Sequence, residues 1–545
     1  MKRNIDRFLL AAACIIPFLR LGIGEIQPWD ESLYIIRAEA CLKFGAWLDQ
    51  TKYAVGGLYS GWHPPFGVWM IALSKYISGN STLSARLPIA IAASASIFIL
   101  WLVVKRFASR EAALIASVSL AAADLFVTYS HRAQMESFIL FFGVASIYTL
   151  VKSIDRESWM WSAASGILLG LGLLTKLGYA MYSVPFAMLL PWATGKSRAI
   201  PFVCVMLAVA LCISLPWFLM MINNHPGFIG YVRDYLQTFR NGNYAPSSLA
   251  WWYYLNRLIV ALPLIVICFF TRKPNRLIIA SAVWLLAVGL ALQIVGTRMP
   301  HFAFLLLAPG ALLIGMTWDY LKYEVRSMKY EKGNAKTFIL HASYFIIMIL
   351  IIGYSASEQV RLFLTERLHW NEFIIRPGGV AAFVIIIVIG IVSMKYAETK
   401  AKAAVGFSAL LLAIAFAHIF SIQKKVYENG AEEVAVIANS LPSKSRIVVI
   451  HPDFPHEEYA PQLAYYTDGW TLGWQPGKRS QVCAWENVLT NYSPDSVRDI
   501  AVITGFRDRF NRAPASDTIL LDSIRAKLVS NFGRMKSFRS YTVFY

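Results

Sequence analysis

The chain has 545 residues, of which 57% are hydrophobic and only 15% charged, with a mean hydropathy of +0.51. Soluble domains carry about 25% charged residues, so a purely water-soluble enzyme is excluded, as are disorder and collagen-like repeats. The net charge of +19, from 51 Lys+Arg against 32 Asp+Glu, fits a membrane protein with basic cytoplasmic loops and an anionic lipid ligand. No basic helix with interleaved aromatics points to nucleic acid.

Met1–Arg7 is basic and is followed by an apolar run to Ile23. Ala11-Ala12-Ala13-Cys14 faintly suggests a lipoprotein cleavage site, but the run continues past the cysteine, so it reads as an uncleaved first span. Apolar runs near the ~20 residues that cross a bilayer then recur. They cover 8–24, 87–104, 111–128, 135–152, 159–175, 178–194, 199–221, 254–271, 277–296, 302–318, 338–354, 378–395 and 403–421, which is about thirteen spans. Lys2, Arg3, Arg7, Lys105-Arg106-Arg110, Lys152-Arg156, Lys196-Arg198, Arg272-Lys273-Arg276, Lys322 to Lys336 and Lys395-Lys400-Lys402 fall in alternate connections. Basic residues in short loops mark the cytoplasmic side, which predicts a cytoplasmic N-terminus and a tail across the membrane.

Two long segments, 25–86 and 223–253, are predicted outside, with interfacial helices near 31–44 and 66–77; a shorter one covers 355–377. After Gln423 the composition gains polar residues and Pro. Ser445–His451 and Asp499–Thr504 read as buried strands, and Gly430–Ser440 and Ser516–Val529 as helices. The expected organisation is a polytopic α-helical domain over 1–421 and a small extracytoplasmic α/β domain over 422–545. Of six cysteines, Cys14, Cys204, Cys212 and Cys268 lie in apolar runs. Cys41 and Cys483 lie outside them and pair only if both face an oxidising compartment. No CxxC pair suggests a zinc or redox site.

Charged residues at membrane depth are costly, so they mark function. Asp30 and Glu31 follow the first span in Gln27-Pro28-Trp29-Asp30-Glu31. His63-Pro64-Pro65, Arg86-Leu87-Pro88, Arg132 to Glu136, Thr175-Lys176, Arg240 and Arg298-Met299-Pro300-His301 all fall at the predicted external ends. With WDESLYIIRA (29–38), HPPF (63–66), RLP (86–88), RAQME (132–136), TK (175–176), FRNGN (239–243) and RMPHFAFLLLAP (298–309), the chain resembles the GT-C glycosyltransferases that use polyprenyl-phosphate-linked sugars. Within them it is most similar to the protein O-mannosyltransferase group (glycosyltransferase family 39) and to the bacterial transferases that add aminoarabinose or galacturonate to lipid A. The resemblance covers roughly residues 1–320. No single motif is specific; their order and common side carry it.

The resemblance implies an inverting transfer of a sugar from a polyprenyl-phosphate carrier to a lipid A-like, glycan or protein acceptor at the outer face of an inner or plasma membrane. A base must take the acceptor proton and cations must hold the departing phosphate. It implies Asp30 as base or acceptor-orienting carboxylate, where partial desolvation at the interface can raise a carboxylate pKa. Glu31 and Glu136 are the further acidic candidates. His63, Arg132, Lys176, Arg240, Arg298 and His301 are the phosphate-binding candidates. Each has a structural alternative. Asp30 is also a favourable helix cap, Glu31 a solvated first-turn acid, and Arg132 with Glu136 an i,i+4 ion pair. Lys176 is equally a snorkelling residue, and Arg298 and His301 span anchors. His63 stands where the aminoarabinose transferases have Lys. Asp30, Glu31 and Glu136 are the oxygen ligands available to a divalent ion, but the basic cluster argues against an obligatory metal; the donor is the only other cofactor-like group expected. A transporter or flippase for a lipid-linked sugar is the alternative, although such proteins place charges near mid-membrane and often show inverted repeats.

Overall fold

The computed structural model describes residues 2–27, 30–51, 63–176, 178–241, 253–271, 274–295, 298–328, 400–422, 430–440, 446–451, 480–484, 499–504, 526–530, 532–537 and 541–545. Among them, five helices are long and apolar enough to cross a membrane. Of these, α4 (Thr82–Phe107), α7 (Glu136–Arg156), α10 (Ile200–Asn224) and α13 (Arg276–Ile294) are regular. The fifth joins a 3-10 turn, Pro300–Leu306, to α14 (Leu307–Met328). A sixth results if α5 (Arg110–Ala122) and α6 (Asp124–Ser130), bent by 62°, are one broken span.

The count of about thirteen is not reached among the described residues. The expected spans 338–354 and 378–395 lie outside them. Others are interrupted. The first is α1 (Lys2–Ile15) followed by a 3-10 turn through Pro17. The stretch 178–194 begins at Gly178 (φ 72°) and runs through a 3-10 turn into the ten-residue α9 (Val184–Ala193). The stretch 254–271 breaks between α12 (Tyr253–Ala261) and a 3-10 segment opening at Pro263, because proline lacks the N–H that would continue the helix. α8 (Trp159–Leu173) is apolar but has 15 residues. Hydropathy reports burial in lipid or protein alike, so it does not register these interruptions.

Small residues let the helices approach. A Cβ on Gly166 of α8 would lie 2.5 Å from the Met206 carbonyl of α10, and one on Gly170 would lie 2.7 Å from Ile213 Cβ. Gly143 of α7 receives the Tyr182 ring in the same way. α4 is capped by Ser81 and Ser84 in a reciprocal capping box, and α13 by Asn275, which accepts from Ile278 N at 2.9 Å.

The two predicted interfacial helices are α2 (Asp30–Phe44) and α3 (Phe66–Ser78), packed on each other. A buried Lys75–Glu39 pair joins them at 2.9 Å. The first external loop is tied to α10 and its C-terminal continuation. Trp217 Nε1 donates to Leu48 O at 2.9 Å, and Asp49 accepts from His225 Nε2 at 2.8 Å. α11 (Phe228–Asn241) follows, with Phe228 packing on Trp217, Met221 and Leu174.

α15 (Lys400–Ile422) lies against α5, and α16 (Ala431–Ser440) leads into a five-stranded sheet. β1 (Arg446–His451) runs parallel to β2 (Ser480–Ala484) and β3 (Asp499–Thr504). β5 (Tyr541–Phe544) runs antiparallel to β3 and to β4 (Met535–Ser537), giving the order β2-β1-β3-β5-β4. Most of the expected helix 516–529 and the loop 355–377 lie outside the described residues. Cys41 is a free thiol that donates to Ala46 O.

Candidate active site

The N-terminus of α2 brings two adjacent acids to one end of the bundle, and they face different surroundings. Glu31 is fully buried. It accepts from Arg86 Nε at 2.7 Å and Arg86 Nη2 at 3.1 Å, from Gln27 N at 2.7 Å and from Ala133 N at 2.8 Å. Both its oxygens are therefore used, and it is not a solvated first-turn acid. Arg86 also donates to the Leu21, Ile23, Gly24 and Glu25 carbonyls, so the pair knits the loop before α2 to the start of α4.

The Asp30 side chain is one-third exposed, and its nearest charged neighbour is Lys176 Nζ at 3.9 Å. Among the described residues no backbone N–H bonds its carboxylate, so the helix-cap alternative is not what the structure shows. Lys176 follows α8 in a loop that is locked to the first external segment through Phe66 N, which donates to Leu174 O at 2.9 Å. Gly67 allows this approach, since a Cβ there would strike Met135 Sδ.

Lys176 donates to Glu136 Oε1 at 2.9 Å. The expected i,i+4 pair of Glu136 with Arg132 does not form; Glu136 turns to Lys176 instead. The buried Arg132 guanidinium stands over the Tyr129 ring at 5.7 Å. Burial alone would push Lys176 down, but the Glu136 and Asp30 carboxylates outweigh it and hold the ammonium charged. His301 completes the group: ligand atoms of Asp30, Glu136 and His301 all lie within 4.8 Å of one another. A divalent ion would therefore find those three rather than Glu31. Lys176 already puts a positive charge beside both carboxylates.

The remaining candidates divide. His63 lies edge-on to Tyr34 and Tyr235, with ring centroids 6.2 and 6.4 Å away, next to the cluster. Burial, with Arg37 and Lys176 nearby, drives its pKa well below 6.5, so it is neutral. Arg298 stacks on Tyr254 and donates to Val295 O at 3.1 Å. Arg240 is exposed near the end of α11 and, among the described residues, makes no ion pair with the cluster. Sequence reasoning assigned no role to three phenols that line the group. Tyr34, Tyr179 and Tyr235 all stand within electrostatic reach of Asp30 and Lys176. Burial raises the Tyr34 and Tyr235 hydroxyls, which keeps them protonated donors.

Residues 62–219, which hold His63, Arg86, Glu136 and Lys176, match the family model described as dolichyl-phosphate-mannose-protein mannosyltransferase. The structure superposes on ArnT from Cupriavidus metallidurans bound to undecaprenyl phosphate with a TM-score of 0.66 at 16% identity, covering 98% of this chain and 97% of that one. The chain has the GT-C fold. An undecaprenyl phosphate-alpha-4-amino-4-deoxy-L-arabinose arabinosyl transferase of Pseudomonas savastanoi pv. phaseolicola is 26% identical over 331 residues, 57% of this chain. That match spans 61% of the relative's length. The Serratia proteamaculans transferase of the same name is 24% identical over 390 residues, 68% of each chain. The GT-C likeness spans the described residues of both the helical bundle and the strand-bearing tail, and places this chain among multi-pass membrane proteins.

Proposed function

We propose that the chain is an inverting glycosyltransferase that moves a sugar from a polyprenyl-phosphate carrier to a lipid A-like acceptor at the extracytoplasmic face. One observation carries the reading: Asp30, unlike Glu31, keeps a partly open carboxylate that no backbone N–H consumes among the described residues, beside a buried ammonium. The named relatives, which act with undecaprenyl phosphate-linked aminoarabinose, support the donor class.

In this mechanism Asp30 takes the proton of the acceptor hydroxyl. The oxygen attacks the anomeric carbon from the face opposite the phosphate, the carbon–oxygen bond to phosphate breaks, and the carrier phosphate leaves with the electron pair. The anomeric configuration inverts. Lys176 faces the developing negative charge, and Glu136 is a positioning residue that fixes Lys176. Arg132 and His301 border the same space. Glu31 acts through Arg86 by holding α2 in place. The ammonium does the work of a cation, so transfer needs no divalent ion and EDTA leaves the rate unchanged.

α4 runs from Arg86 at the site to Arg106, and α7 from Glu136 to Asp155; Arg106 meets Asp155 at 2.6 Å at the far end. The basic end is cytoplasmic by the charge rule, which puts the site, and a C-terminal domain over 422–545, outside. The test compares envelope glycans and lipid-linked sugars by mass spectrometry in cells carrying wild type or Asp30→Asn. The expected result is accumulation of one polyprenyl-phosphate sugar and loss of the matching glycan mass. Wild-type glycan in the variant would remove Asp30 from the mechanism.

A further inference from the structure

Arg37 lies on α2 two turns beyond Asp30 and is 1% exposed. Nε donates to Gln50 Oε1 at 2.7 Å, and Nη2 donates to His63 O at 2.6 Å. Nη1 is buried and, among the described residues, has no acceptor. Among the described residues, the ionisable groups within electrostatic reach of the guanidinium are the Tyr34 phenol, the Cys41 thiol and the His63 ring, none of them negatively charged at pH 7. No described carboxylate balances it, and residues 52–62, which continue this loop, contain no Asp or Glu.

Three other buried cations of this region are paired. Arg86 has Glu31, Lys75 has Glu39, and Lys176 has Glu136. A buried charge without a counter-ion is costly, and a ligand that brings the missing charge relieves the cost. The Arg37 guanidinium stands 5.9 Å from the Tyr34 ring centroid, and the Tyr34 phenol lies in the combined field of Arg37, Lys176, Asp30 and Glu136. His63 stands between the fields of Arg37 and Lys176 and is itself uncharged. Lys176 has its charge matched by carboxylates; Arg37 does not.

We propose that Arg37, with the Tyr34 hydroxyl and the His63 ring, forms an anion subsite that takes the phosphate group of the lipid-linked donor. This rests on the transferase reading above. A guanidinium suits the task, because Nη1 is left to donate a charge-assisted bond to a phosphate oxygen while Nε and Nη2 stay anchored. Arg37 supplies the charge that neutral His63 cannot.

The test uses the purified full-length chain in zwitterionic nanodiscs, titrated with undecaprenyl phosphate, undecaprenol and phosphatidylglycerol. Affinity and the lipid-induced rise in melting temperature are read for wild type, Arg37→Gln and Asp30→Asn. The subsite requires that wild type and Asp30→Asn bind the phosphate lipid and not the alcohol. It also requires that Arg37→Gln loses about 10- to 100-fold in affinity, the loss of one charge-assisted contact. Undiminished binding by Arg37→Gln overturns the subsite and leaves the transferase reading standing. Equal competition by phosphatidylglycerol also overturns it, as a site for bilayer headgroups. Absence of binding to wild type brings down both. If Arg37→Gln does not fold, Arg37→Lys decides. A buried lysine loses its charge readily, so its binding falls between about pH 6 and pH 9 while that of arginine does not; parallel profiles overturn the proposal.

Discussion

Asp30 and Glu31 share one helix turn but point about 100° apart around its axis, and that separates a structural acid from a reactive one. Glu31 is paired with Arg86 at 0% and 1% side-chain exposure. Glu31→Gln leaves a buried guanidinium short of its counter-charge and is expected to cost about 3–5 kcal/mol, read as a lowered midpoint in denaturation of the purified protein. Asp30→Asn leaves Lys176 its Glu136 partner at 2.9 Å and melts close to wild type, so the two variants lose activity for different reasons. His63 gives a pH signature. Its folded pKa lies below the free value of 6.5, so the unfolded chain binds the extra proton first. Stability is full above pH 6.5 and falls as pH drops toward the folded value. His63→Gln flattens that slope in melting curves taken across the range; an unchanged slope would assign it to another group.

At the scale of elements, hydropathy located most of the described helices because a run of apolar residues is a local property. α4, α7, α10 and α13 fall where periodicity and length put them. It does not register breaks inside a stretch: Pro17, the 3-10 turn Tyr179–Ser183 and Pro263 interrupt segments that read as continuous by hydropathy. The strands β1 and β3 were legible for the same local reason, as short β-branched runs. The α8–α10 contact was not, since Gly166 and Gly170 have meaning only against Met206, Val209 and Ile213. Gly166→Leu forces the two helices apart and is expected to cost about 1–3 kcal/mol or more, seen as a drop in folded yield and melting temperature; Gly227→Ala, with nothing near its Cβ, serves as the neutral control.

At the scale of the whole molecule, Glu25 joins the helix that leads into the strand-bearing tail to the site. Glu25 accepts from Gly430 N at 2.8 Å and from Glu432 N at 2.9 Å, at the start of α16. Its carbonyl accepts from Arg86, which holds Glu31 and with it the start of α2. Glu25→Ala removes two charge-assisted bonds of about 1.5–3 kcal/mol each. Faster proteolytic release of the segment after Ile422 and a lower rate of transfer are the expected results; an unchanged cleavage rate would make the link idle.

Sequence alone determined that the chain is multi-pass, which end of each helix is basic, and which motifs gather toward one side, because hydropathy and charge act through neighbours along the chain. Tertiary structure decided the partners. Ala133 meets Glu31 across 102 positions and Lys176 meets Glu136 across 40, distances over which no local pattern fixes a pairing. Packing brought those groups together, and packing decided that Glu31 is consumed, Asp30 is left open, and Arg37 keeps a charge that no described carboxylate answers.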